Sequence, residues 1–176
     1  MKLSIIIITL LALIGSAAAQ TITLAGVEAS IPSAWIAVKP ATTMRLAQFQ
    51  IPAENGSDAE LVVFYFGPNQ GGSPAANIAR WQSQFSAPDG GPVEPAVKTN
   101  HIDGMPVTEV ELKGNYARGI GTGPVGTAKS NQTLQAAIVE GPQGKLFVQL
   151  YGPSDTVATQ RQAFDNFIHS MRQKTP

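Results

Sequence analysis

Apolar and polar positions alternate along most of this chain in short stretches, and glycine or proline marks nearly every change of pattern. A period of two sends successive side chains to opposite faces of a strand. Thr21 to Leu24 and Val27 to Ile31 read as two strands around Gly26, ended by Pro32, which has no N–H to give a ladder. In Thr43 to Ile51, Met44 and Leu46 share one face and Ala47, Phe49 and Ile51 the other, and periodicity alone does not choose the buried one. Leu61-Val62-Val63-Phe64-Tyr65-Phe66 is unbroken apolar sequence, the pattern of a central strand covered on both sides. Val97 to Ile102 and Pro106 to Tyr116 flank Asp103-Gly104, a pair suited to a tight hairpin turn. In the second arm Thr108, Val110 and Leu112 fall on one face and Glu109, Glu111 and Lys113 on the other, so one face is expected to be wet. Leu134 to Glu140 and Lys145 to Tyr151 form a second predicted hairpin through Gly141 to Gly144.

Two stretches change to a helical period. After the loop Gly67 to Gly72, Ser73 is placed to cap a helix with Pro74 at its first position, and Ala75, Ile78, Trp81 and Phe85 form the expected apolar stripe. Near the end, Gly152-Pro153 is expected to stop a strand. Ser154 is expected to cap one helix carrying Val157, Phe164, Ile168 and Met171 on its apolar side. Short turns join most strands and helices enter at two points. The pattern predicts a single α+β domain over 20–176: an antiparallel sheet of about six to eight strands packed with two main helices.

The N-terminus departs from every pattern above. Met1-Lys2 gives a positive start, Leu3 to Ile14 is apolar except for Ser4 and Thr9, and Ala17-Ala18-Ala19 precedes Gln20. This is the layout of a secretory signal peptide cleaved between Ala19 and Gln20, with an apolar core too short for a permanent span. It predicts an exported protein, periplasmic or extracellular, with no membrane anchor after cleavage.

Composition narrows the chemistry. The chain has 12 Lys+Arg, 12 Asp+Glu and no cysteine. Loss of Lys2 with the signal leaves a net charge near −1, which offers no electrostatic footprint for nucleic acid. The absence of cysteine excludes disulfides, thiolate metal sites and a Cys nucleophile. A domain of roughly 150 residues buries enough surface to fold without such staples.

Three segments resemble the PsbP-like fold, seen in extrinsic subunits of photosystem II and in small secreted bacterial proteins. They are the opening strand ending in Ile31-Pro32-Ser33-Ala34-Trp35, the closing hairpin of Ala137 to Glu140 and Lys145 to Leu150, and the final helix Ala163 to Met171. The middle, Phe64 to Phe85, does not match the photosystem subunits. The resemblance implies a fold and an accessory or binding habit, and it brings no catalytic residues and no cofactor.

Candidate sites are few. Gly71, Gly72 and Ser73 open a helix, where backbone N–H groups suit a weak anion site. Trp35 and Trp81 are candidates to line a partner or ligand pocket, with a core role as the alternative. His101 and His169 are the only histidines, and a hydrolase would have to pair one of them with a distant hydroxyl, since no Gly-x-Ser-x-Gly elbow is present. Glu54, Asp58 and Glu60 form an acidic turn without calcium-loop spacing. Gly121 to Gly126 satisfies Gly-x-Gly-x-x-Gly but lacks the strand and helix that a nucleotide site needs, and Gly119 to Gly126 is expected to be a mobile loop. The sequence thus favours a non-enzymatic binding or accessory module of the bacterial envelope, its partner an envelope protein or small ligand, over a secreted hydrolase or a structural envelope component.

Overall fold

In the computed structural model, which describes residues 20–117 and 127–174, the alternating segments pair into two antiparallel sheets. β1 (Gln20–Leu24) and β2 (Val27–Ile31) make the first hairpin, and β11 (Arg172–Gln173) joins β2 to give a three-stranded sheet. The main sheet runs β3 (Ile36–Ala37), β4 (Arg45–Ile51), β5 (Ala59–Tyr65), β10 (Gly144–Pro153), β9 (Lys129–Gly141), β8 (Met105–Tyr116). Beyond β8, its long edge is shared by β7 (Ala96–Ile102) and β6 (Phe85–Ser86). The helices are α1 (Pro74–Gln82), α2 (Ser154–Thr159) and α3 (Arg161–His169). The expected antiparallel α+β architecture is therefore present, with a second small sheet and a third helix added.

The main sheet buries both of its faces. On one lie α3 and the β1–β2 hairpin, and the core there includes Trp35, Phe49, Leu146, Phe164 and Phe167. On the other, Trp81 of α1 packs in a core with Phe85, Val110, Leu112, Ile138 and Phe147. β10 shows the period directly: Leu146, Val148 and Leu150 serve the first core, and Phe147 the second. Burying each such side chain contributes about 1.5–3 kcal/mol relative to leaving it exposed. The same consideration settles β4, whose orientation the sequence left open. Ala47, Phe49 and Ile51 go inward, and an irregularity in the ladder between Arg45 and Ala47 leaves Met44 and Leu46 at 50% and 37% exposure.

Four local expectations are corrected. α1 stops at Gln82, so Phe85 reaches its core from β6 rather than from the helix, and Ala75 is exposed while Asn77 is buried. β10 does not stop before Pro153: the ladder continues, with Gly152 opposite Thr133 and Pro153 opposite Gln132. Pro153, not Ser154, occupies the N-cap of α2 and makes no side-chain cap. The single C-terminal helix is two, broken at Gln160. There the Thr159 hydroxyl donates to the Thr156 carbonyl (2.8 Å) and Gln160 N–H donates to Val157 O (3.1 Å), tightening the turn. Gln160 O then accepts from Phe164 N–H (2.8 Å) and starts the next helix.

Candidate functional site

The α2–α3 pair leans on the face of β8 that the sequence marked as wet and on the adjoining face of β9. Residues two apart on a strand share a face, so Glu109, Glu111 and Lys113 form a row there, and the register sets Thr133 and Gln135 beside Lys113 and Glu111. Arg161 opens α3 above this row. Its guanidinium Nη2 bonds Glu111 Oε2, and Lys113 Nζ lies 2.8 Å from Glu111 Oε1. Gln135, buried on β9, donates from Nε2 to Glu111 Oε2 at 3.4 Å. Burial alone raises the Glu111 carboxyl, but the hydrogen bonds and charges of Lys113 and Arg161 outweigh it and hold the group below its ordinary value.

Arg161 lines two cavities. The larger, about 520 Å³, lies between the ends of β8 and β9 and α2, and combines Lys113 and Arg161 with Ser130, Thr133, Ser154 and Asp155. The smaller, about 230 Å³, lies under α3 beside Lys98, Glu109 and Phe164. Thr133, itself buried, donates to Ser154 Oγ at 2.8 Å on the floor of the larger one. This trough sets charged and hydroxyl groups against an apolar wall of Pro88, Val157 and Ala158, suited to holding a small ligand by hydrogen bonds and charge.

The residues singled out in the sequence lie elsewhere. Ser73 caps α1 as expected, its Oγ accepting from Ala76 N–H at 3.2 Å, and Pro74 follows at the first position. Buried Asn77 donates from Nδ2 to the carbonyls of Gly71 (2.7 Å) and Ser73 (2.9 Å), tying the glycine loop to the helix. Gly71 has φ +87°, and a Cβ there would lie 2.5 Å from Phe147 Cε2, so close packing requires this glycine. Trp35 and Trp81 are 5% and 2% exposed, in opposite cores, and neither lines the trough. Trp35 Nε1–H donates to Gln160 Oε1 (3.1 Å), and its ring meets those of Phe49 and Phe167.

His101 is exposed on β7, and His169 donates from Nδ1 to the Asp165 carbonyl at 2.8 Å. Neither bonds a hydroxyl or carboxylate side chain among the described residues. Asp58 accepts from Ala53 N–H and Gln50 Nε2, which lower its pKa, while Glu60 bonds Gln48 and Arg45. Among the described residues no three His, Asp or Glu side chains come together to hold a metal. Gly121 to Gly126, like Ala19, lies outside the described residues.

Among solved structures, the cyanobacterial PsbP protein (CyanoP) of Synechocystis sp. PCC 6803 superposes with a TM-score of 0.55 at 17% identity, covering 94% of this chain and 98% of that one. The PA94 protein of Pseudomonas aeruginosa, described as of unknown function and a candidate regulator, gives 0.52 at 15% identity, covering 86% and 94%. The chain has a PsbP-like fold. At 94% coverage the likeness is not confined to the two ends of 20–176, where the sequence motifs stopped. No protein-family model matches the chain, and no curated protein does.

On the PsbP-like framework, the trough was missed because its parts are far apart in sequence. The Glu109, Glu111, Lys113 row was visible as a polar face, but Arg161, which completes it, is 50 residues further on. Ser154 was read as a cap when its hydroxyl in fact meets Thr133. The only local signal was a charged row on a strand whose other face is apolar.

Proposed function

We propose that this chain is exported through a cleaved signal, begins at Gln20 when mature, and acts as a non-enzymatic binding or accessory module of a bacterial envelope. The observation that carries this reading is the trough beside α2. Its walls combine two cations, hydroxyls and one carboxylate with apolar surface from Pro88, Val157 and Ala158, while both histidines stand outside it. That is the composition of a recognition site rather than of a nucleophile with its base. The PsbP-like fold supports the reading, as does the description of its Pseudomonas neighbour as a candidate regulator. Among the described residues no helix is long and apolar enough to cross a membrane, in keeping with release after cleavage.

The test is affinity capture. Tagged protein spanning 20–176 is mildly cross-linked in native envelope extract, beside a Lys113→Gln/Arg161→Gln variant, and captured material is identified by mass spectrometry. A reproducible component that the wild type retains and the variant loses supports the module. Capture of nothing, together with hydrolytic turnover that a His101→Ala/His169→Ala double variant abolishes, overturns it in favour of a hydrolase. N-terminal sequencing of the protein from cells checks the Gln20 start.

A further inference from the structure

The charge in the larger cavity narrows what such a module binds. Lys113 and Arg161 both engage the one carboxylate of Glu111. Glu111 answers one of the two cations and Asp155, on the same wall, offsets the other, so the site carries no net charge but presents both cationic and anionic groups. Both side chains are more than half exposed, at 59% and 51%, and both line the cavity. A ligand anion there exchanges solvent for two charge-assisted hydrogen bonds without having to open a buried ion pair.

The hydroxyl pair on the floor points the same way. Thr133 spends its proton on Ser154 Oγ, which leaves Ser154 its own O–H to donate. Lys113, Arg161 and Ser154 thus all offer hydrogens, which calls for an acceptor on the ligand. Among the described residues Asp155 is the only acidic side chain on the cavity wall. It accepts a hydrogen bond and penalises a second negative charge. We infer that the cavity beside α2 binds a small molecule with a single carboxylate that also carries a hydroxyl or ammonium group, the carboxylate on Lys113 and Arg161 and the donor group toward Asp155. This rests on the binding reading proposed above, and it names the ligand class for the same site.

The experiment is an NMR and calorimetric titration of the purified 20–176 protein with gluconate and with glycine, beside acetate, which has no donor, and inorganic phosphate, which carries more charge. The expected result is saturable binding of gluconate or glycine, with shifts at the Lys113, Ser154 and Arg161 amides. Acetate and phosphate should bind more weakly than the better of the two. Lys113→Gln and Arg161→Gln should each weaken binding by roughly tenfold, the loss of one charge-assisted bond. Asp155→Asn should erase the advantage over acetate, and Lys145→Gln, outside the cavity, should change nothing.

The proposal is overturned by the absence of saturable binding of both gluconate and glycine, by binding that survives both cation variants, or by a preference for phosphate. Far-UV circular dichroism of each variant separates a lost site from a lost fold. The two readings fail separately. Envelope capture that depends on Lys113 and Arg161, without carboxylate binding, leaves the module standing and removes this ligand. Carboxylate binding without any envelope partner keeps the binding site and its ligand and removes only a protein partner from the module reading.

Discussion

At the scale of single residues, burial and charge compete openly at Glu111. Its carboxyl lies below the ordinary value of 4.5 because Lys113 and Arg161 together outweigh the effect of its burial. A carboxylate held low in the folded state takes up a proton when the chain unfolds in acid. The stability it contributes is therefore complete above pH 4.5 and is lost as the pH falls through the folded value. Urea midpoints measured from neutral pH down to pH about 3 should decline in that window, and Glu111→Gln should flatten the upper part of the decline. The residual fall at lower pH belongs to other carboxylates, Asp58 included, whose value is lowered from 3.8 by Ala53 N–H and Gln50. A variant with the same decline as wild type would show that Lys113 and Arg161 do not hold Glu111. At neutral pH the variant should lose no more than about 1 kcal/mol, because half-exposed pairs are weak.

Among the elements, α1 shows how far local rules reach. Ser73, Pro74 and the loop before them specify its start, and the structure has the cap where the sequence places it. Ser73→Ala should cost about 1 kcal/mol, read as a lower urea midpoint with an unchanged slope. An unchanged midpoint would mean that the Asn77 bonds to Gly71 and Ser73 hold this end by themselves. The end of α1 was not legible in the same way. Phe85 continues the spacing of Ile78 and Trp81, yet the chain leaves the helix after Gln82 because Phe85 can pair across to Tyr116 as a strand. At α2 and α3 the sequence showed one apolar stripe. The break at Gln160 comes from Thr159 bonding back to Thr156, a competition that hydrophobic periodicity does not register.

Over the whole molecule, the two tryptophans mark the two cores that the main sheet separates, Trp35 on one face and Trp81 on the other. β10 feeds both cores from alternate residues, so neither can be lost without disturbing the strand between them. The chain should therefore unfold as one cooperative domain. In Trp35→Phe and Trp81→Phe variants, each with one remaining tryptophan, the fluorescence transition should coincide with the loss of far-UV circular dichroism. Separate transitions in either variant would divide the chain into two units and overturn the single-domain reading.

The sequence by itself determined the longer strands, the turns at Asp103-Gly104 and Gly141 to Gly144, the cap at Ser73 and the antiparallel α+β class, because each depends on neighbours a few residues away; the short β3, β6 and β11 it did not show. It also carried the expectation of export. Tertiary structure alone decided which face of β4 is buried, that Trp35 and Trp81 are core, and that Arg161 meets Glu111 and Lys113 over a trough floored by Thr133 and Ser154. Those outcomes come from competition for buried area and from charges brought together by strand register. Both act between residues that are distant along the chain.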